Sequence, residues 1–397
     1  MDTLGVLIVG GGLAAQRCAE TLRARGYEGA IRIVCGEAEP PYDRPPLSKE
    51  LLSGSVDAGE AYYRPRQWYE DNAVDLLLGR RARSLDPSER TVRLEDGESL
   101  GYERLLIATG SHARRLPILD GFDNVQGLRT LEDARCLHAQ LKPGARLVIV
   151  GAGFIGQEVA ATARGHGVEV TIIEALDVPL APILGQRVGS WIARLHAEEG
   201  VRLMLSARLE GARGNGRVEE LVLADGRHVG CDTVVVGVGV APAVGWLHGT
   251  SLEGGPVRTD AAGRTALPDV FAAGDAAAPF EPRFGQYAHT EHWDAAARQG
   301  AAAAQAMLGI YPGTPPLPSF WSDQYGLRIQ YVGHADRATD TVIKGDPEAR
   351  DFAALFSREG TPVAALAVGR PRTIAQMRKR IDEAYWNKGK ETEARAA

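Results

Sequence analysis

The run Val6-Leu7-Ile8-Val9 leads straight into Gly10-Gly11-Gly12-Leu13-Ala14-Ala15, and Leu147-Val148-Ile149-Val150 leads into Gly151-Ala152-Gly153-Phe154-Ile155-Gly156. Each reads as a buried strand, a tight glycine turn and the first turn of a helix. In such a turn the first glycine (Gly10, Gly151) permits the sharp reversal and the second (Gly12, Gly153) lets the backbone approach a pyrophosphate. The third small residue (Ala15, Gly156) lets helix and strand pack closely. The helix N-terminus offers unpaired N–H groups and partial positive charge to the phosphates. An acid near the end of the next strand should take the ribose hydroxyls. Ile31-Arg32-Ile33-Val34-Cys35 is followed by Glu37, and Val168-Glu169-Val170-Thr171-Ile172-Ile173 by Glu174. One such fingerprint is weak evidence, but strand, helix and acid agree twice. Two dinucleotide sites in one chain suit an enzyme that brings a nicotinamide up to a flavin.

The chain's 397 residues exceed one core at ~150 residues per domain, so two or three domains are expected. Hydrophobic residues at 44% and charged residues at 24% fit an ordinary globular protein, and a net charge of -6 gives no general attraction to nucleic acid. No stretch approaches the ~20 consecutive apolar residues of a membrane span, and no basic leader is apparent, so a cytoplasmic location is expected. The four cysteines, Cys18, Cys35, Cys136 and Cys231, are scattered singly with no Cys-x-x-Cys. That spacing suits reduced thiols and neither a disulfide framework nor a zinc site. His289 and His292 have no third ligand in sight, so no metal is expected.

Strands ending on glycine are also expected at Tyr102–Gly110, with Ala108-Thr109-Gly110 at its end, at Thr233–Gly239, and before Gly274-Asp275. They divide the chain into a discontinuous first domain, 1–110 and 240–317, with a second inserted at 111–239. Beyond the proline-rich stretch 312–318 a third domain, 318–397, is predicted to hold a hairpin turning at Glu359-Gly360. A capping box Thr373-x-x-Gln376 should open a helix with Ile374, Met377, Ile381 and Tyr385 on its apolar face. From Lys388 the polar end should fray.

Glu174 can bond a free 2′-hydroxyl and would repel a 2′-phosphate, and no arginine follows in Ala175-Leu176-Asp177-Val178, so NADH is the expected nicotinamide. In the rigid stretch Pro40-Pro41-Tyr42-Asp43-Arg44-Pro45-Pro46-Leu47-Ser48-Lys49, Ser48 reads as the N-cap of a short helix. Lys49 then sits in its first turn, where its charge opposes the helix dipole. Glu158 lies on the packed stripe of the second fingerprint helix, where a carboxylate needs a partner. A Lys49–Glu158 pair near both cofactors is expected, against the plainer reading of a solvated lysine. Asp275 can bond a sugar-alcohol hydroxyl or be a simple turn aspartate. Trp293 and Trp321 can stack near an isoalloxazine or serve as core.

With these motifs, Leu128-Arg129-Thr130-Leu131-Glu132-Asp133-Ala134 and Trp321-Ser322-Asp323-Gln324, residues 5 to about 370 resemble the FAD-dependent ferredoxin reductases of Rieske-type dioxygenase and bacterial cytochrome P450 systems. The resemblance implies an α/β, glutathione-reductase-like fold: two Rossmann-type dinucleotide-binding domains, FAD in the first and NADH in the second, plus a C-terminal α+β domain. The flavin set it implies is Gly10, Gly12, Ala15, Glu37, Arg44, Pro46, Lys49, Ala108, Thr109, Gly110, Asp275, Trp293 and Trp321. The NADH set is Gly151, Gly153, Phe154, Ile155, Gly156, Glu174 and Gly239, with Lys49 and Glu158 facing each other across the nicotinamide. The implied reaction moves a hydride from NADH to FAD and then single electrons to a [2Fe–2S] ferredoxin that feeds a terminal oxygenase. Where the family carries a basic docking helix this chain has 298–305 with a single arginine, so Arg298, Arg370, Arg372, Arg378, Lys379 and Arg380 are the alternative docking face. The rival readings are an NADH oxidase or diaphorase, whose reactive cysteine has no counterpart beside Ser48, and a slow NADH-binding redox sensor.

Overall fold

The computed structural model describes residues 4–396 except Phe284, Thr314, Asp336 and Arg337, with side chains as far as Tyr385. The chain forms two compact units. One comprises Met1–Asp43, Gly59–His112 and Ala241–Pro318; the other comprises Arg44–Ala58, Ala113–Val240 and Ser319–Ala397.

The first unit is built on a five-stranded parallel sheet in the order Val270–Ala272, Arg104–Ile107, Val6–Val9, Ile31–Val34, Val74–Leu77. Its central strand Val6–Val9 reads as an unbroken aliphatic run because both of its faces are covered. The fingerprint strand lies in the middle, pairing Val6 with both Ile31 and Arg104. The second unit repeats the plan in the order Arg202–Met204, Glu169–Ile173, Arg146–Val150, Thr233–Val236, Val125–Gln126. In both sheets the strand order reverses at the fingerprint strand, the place where such sheets open a crevice at their C-terminal edge. The duplication runs further than the fingerprints. Each unit also carries a three-stranded antiparallel sheet, Ala82–Asp86 with Thr91–Leu94 and Ser99–Gly101 in one, Leu209–Arg213 with Glu220–Leu223 and His228–Gly230 in the other.

The C-terminal residues of the second unit form a five-stranded antiparallel sheet ordered Ser319–Gln324, Leu327–Gly333, Thr361–Val368, Asp351–Arg358, Asp340–Asp346. The expected hairpin is present, and Glu359 and Gly360 take φ of 51° and 77°, the pair of positive values a type I′ turn demands. The last helix, Pro371–Ala396, packs on this sheet and buries Ile374, Met377 and Ile381. Two expectations about it are corrected. It begins at Pro371, where proline's missing N–H costs nothing, so Thr373 lies inside the first turn and is not the N-cap. Its backbone also stays helical past Lys388 instead of fraying there. Among the described residues no helix is long and apolar enough to cross a membrane.

Candidate functional site

The first fingerprint forms a cradle whose glycines have unequal duties. Gly10 has φ of 125°, and a Cβ there would lie 2.0 Å from the Ala108 carbonyl oxygen, so nothing but glycine fits. At Gly12 a Cβ would meet no atom within 4 Å, which leaves open space above the turn. The helix that follows, Leu13–Ala24, has neither a side-chain cap nor an acid in its first turn, so its leading N–H groups suit an anion. Ala15 is fully buried, consistent with close packing. Beside the turn, the Thr109 hydroxyl is buried with no protein partner among the described residues. Gly110 closes this strand end with φ of 68°. Glu37 accepts the Tyr42 hydroxyl at 2.5 Å, and Asp275, delivered by Gly274 at φ of 75°, accepts Ser111 Oγ at 2.8 Å. The Trp293 indole donates to Asp43 at 2.6 Å, and Tyr63 donates to the same oxygen at 2.9 Å. Open space, an orphaned hydroxyl and an uncapped helix together fit the diphosphate of a dinucleotide.

The second cradle is tighter. Gly151, at φ of 102°, would place a Cβ 2.5 Å from the Gly237 carbonyl oxygen, and Gly156 would place one 2.5 Å from the Gly151 carbonyl oxygen. Glycine is therefore needed at the third position here, where alanine serves in the first cradle. Gly153 is roomier, its nearest atom at 3.7 Å, and it caps Phe154–Gly165 without a side-chain bond. Glu174 is locked in place: one oxygen accepts Ala152 N–H at 2.7 Å and the other Leu176 N–H at 2.8 Å. Ile155 is exposed, Phe154 packs edge-on against Phe320 at 4.6 Å, and Gly239 turns at φ of 93°.

Lys49 and Glu158 do meet. Lys49 Nζ donates to Glu158 Oε2 at 2.8 Å and to the Pro45 carbonyl at 3.0 Å, and the carboxylate is 4% exposed. The expected capping role of Ser48 is corrected. Lys49 holds the N-cap position of Glu50–Ser53, while Ser48 sits in the preceding turn Pro45–Ser48 and gives its hydroxyl to Glu158 Oε2 at 2.5 Å. A buried carboxylate draws the nearest donor, and that bond is worth more to the fold than an exposed cap. Thr162 fixes the turn by donating to the Ser48 carbonyl at 2.7 Å, Arg44 reaches the Arg129 carbonyl, and the Pro46 carbonyl accepts Lys49 N–H. Ser322 supplies a donor to Glu158 Oε1 at 2.7 Å.

Sequence reasoning missed what lies behind Ser322. Gln324 donates to Ser322 at 3.0 Å and to Gln157 at 3.2 Å, His196 contacts Gln324 at 3.1 Å, and the Tyr325 hydroxyl contacts His196 at 2.7 Å. Gln157, His196, Ser322 and Gln324 are all within 1% of complete burial. Burial pushes His196 down to about 4, so the ring is neutral. A signal was available: Ser322 and Gln324 share one face of a strand, and His196 lies on the Val188-Ile192-Leu195 stripe. Trp321 points from the alternate face of that strand and is half-buried.

The cysteines form no bridge, and all four are free. Cys35 is buried under Gly11, and burial, with Glu37 nearby, pushes its thiol up to about 12. Cys18 is raised by burial and Cys231 is raised to about 11, also by burial. None has the thiolate character a redox relay needs.

Residues 4–300 match the pyridine nucleotide-disulphide oxidoreductase family and residues 319–392 the reductase C-terminal family. The chain is 39% identical over 382 residues to the anthranilate 1,2-dioxygenase system ferredoxin–NAD(+) reductase component of Burkholderia cepacia, covering 94% of this chain and 93% of that protein. It is 39% identical over 379 residues to the biphenyl dioxygenase system ferredoxin–NAD(+) reductase component of Paraburkholderia xenovorans, covering 94% and 92%. The reductase in the crystal structure of the covalent putidaredoxin reductase–putidaredoxin complex superposes with a TM-score of 0.93 at 31% identity, covering 96% of this chain and 94% of that one. The chain belongs to the pyridine nucleotide-disulphide oxidoreductase family, in its branch of ferredoxin–NAD(+) reductases, and carries that fold without a redox disulphide among its four free cysteines.

Proposed function

We propose that this chain is a cytoplasmic FAD-dependent NADH:ferredoxin oxidoreductase that delivers electrons to a [2Fe–2S] ferredoxin and through it to a terminal oxygenase. The observation that carries the reading is the pairing of two open nucleotide cradles with a set of cysteines too buried or too isolated to relay electrons. FAD, when bound, supplies the ability to take up two electrons together and release them singly. Gly10, Gly12, Ala15 and the first turn of Leu13–Ala24 hold its diphosphate, with Glu37 at the ribose and Thr109 and Asp275 at the polar remainder. Residues 1–110 and 240–317 form the flavin domain, residues 111–239 the NADH domain and residues 318–397 the C-terminal α+β domain. Gly151, Gly153 and Gly156 seat the NADH diphosphate, and Glu174 receives the adenosine ribose. Lys49 and Glu158 position the nicotinamide end, where an ion pair shielded from water keeps its geometry without reorganisation.

Glu174 carries the nicotinamide choice. With both oxygens already held by backbone N–H groups it cannot swing away from a 2′-phosphate. NADH should exceed NADPH in kcat/KM by about tenfold or more when anaerobic reduction of a [2Fe–2S] ferredoxin is followed, since repulsion of ~1.4 kcal/mol suffices. Equal use of the two would remove the ribose assignment, and failure with either to reduce any ferredoxin of a dioxygenase or P450 system would remove the reading. The proposed docking face is less basic than its sequence suggests. Arg298 pairs with Asp294, Arg370 with Asp351 and Lys379 with Glu383, while Arg378 donates to Ser319. Charge steering of the ferredoxin should accordingly be shallow.

A further inference from the structure

We propose that Tyr325, His196, Gln324 and Ser322 are positioning residues that form a one-way chain of hydrogen-bond donors ending on Glu158, built to hold that carboxylate in a single orientation. The inference rests on the reading of Glu158 as the carboxylate at the nicotinamide end of the NADH site.

The direction of the chain follows from counting donors. Gln324 spends both amide N–H groups, on Ser322 Oγ and Gln157 Oε1, so its own oxygen can only accept. His196 must therefore donate from Nε2, which makes Nδ1 the acceptor for the Tyr325 hydroxyl. Ser322, receiving from Gln324, passes its own proton toward Glu158 Oε1. Every link points its positive end at the carboxylate, and dipoles aligned in series reinforce one another inside a low-dielectric interior. His196 can play this part only as a neutral ring, and burial holds it at about 4. The amide in the middle rules out proton conduction, because a primary amide does not hand a proton on as an imidazole or hydroxyl does. The chain orients and stabilises.

The fold invests in the far end as well. Tyr325 and Gly326 form the tight turn between Ser319–Gln324 and Leu327–Gly333, with φ of 52° and 74°. An aromatic residue seldom adopts that conformation, and here it sets the phenol against His196. No other charged group competes for the carboxylate among the contacts described. On its own helix Arg164 is spent on the Glu199 and Val168 carbonyls. From the neighbouring elements, Glu50 is exposed, Asp323 pairs with Arg328, and His138 bonds the Leu52 carbonyl, which leaves Lys49 as the single counter-charge in contact.

The test uses the FAD-loaded enzyme with ¹³C-labelled glutamate carboxyls, the Glu158 resonance being the one lost in Glu158→Gln. Gln324→Met keeps the volume and breaks the chain in the middle. Its Glu158 carboxyl should give a broadened or split resonance where the parent protein gives one sharp line, because the donor chain that fixes Oε1 has been cut, and kcat/KM for NADH should fall about tenfold. Tyr325→Phe removes one oxygen at the far end and should broaden the line by less; should Gln324→Met fail to fold, this variant decides. A line as sharp as the parent's in the folded variants overturns the proposal. A broadened line with kcat/KM for NADH unchanged supports the chain and instead removes Glu158 from the nicotinamide site.

Discussion

Glu158→Gln is expected to slow flavin reduction by NADH about 10²-fold in anaerobic stopped flow, while the purified protein keeps its FAD. The amide preserves shape, but it cannot neutralise Lys49, whose side chain is only 13% exposed. A buried ion stripped of its partner costs ~3–5 kcal/mol, so the lysine must move or draw in water. Each response spoils the placement of the nicotinamide end without touching the first cradle, which lies in the other unit. Thermal denaturation should show the same variant to be destabilised. An unchanged rate of flavin bleaching would dismiss the pair from the reaction and leave it a purely architectural contact.

Gly12→Val is expected to fold and to lose FAD. The backbone at Gly12 has φ of -101°, which any residue adopts, and a Cβ there meets no atom within 4 Å. The apo variant should therefore melt near the FAD-free parent, whereas the branched side chain fills the space assigned to the pyrophosphate and should weaken FAD binding about 10²-fold or more, a loss of ~2.7 kcal/mol. Gly10→Ala is the contrasting case. Its φ of 125° and the 2.0 Å approach to Ala108 make any side chain incompatible with the native turn, so that variant should lose stability as well as cofactor. Retention of FAD by Gly12→Val would move the diphosphate elsewhere.

The contrast between these glycines also shows what could be read without coordinates. Fingerprints, their strands and their terminal acids were legible because local rules dictate them: a buried parallel strand must be aliphatic, and a reversal at positive φ must be glycine. The Lys49–Glu158 contact was legible because a carboxylate on an apolar helix stripe implies a distant cation. Ser48 was misread because an N-cap is a local rule, and the long-range demand of a buried anion 110 positions away overrode it. Thr373 was misread because Pro371 offers an equally good local start. The chain from Ser322 to Tyr325 was invisible for a different reason. Each member looks like an ordinary polar residue, and only the packing of the strand Ser319–Gln324 against two helices turns four such residues into one directed set.

A bound flavin is expected to be the sole redox centre of this chain, with no thiol pair beside it. Anaerobic titration of the FAD-loaded protein with dithionite, followed by flavin absorbance, decides the matter. Complete bleaching is expected with a single two-electron equivalent per FAD and free thiols unchanged in number before and after. Uptake of a second two-electron equivalent, with two new thiols appearing, would reveal a disulphide in the electron path and contradict that expectation.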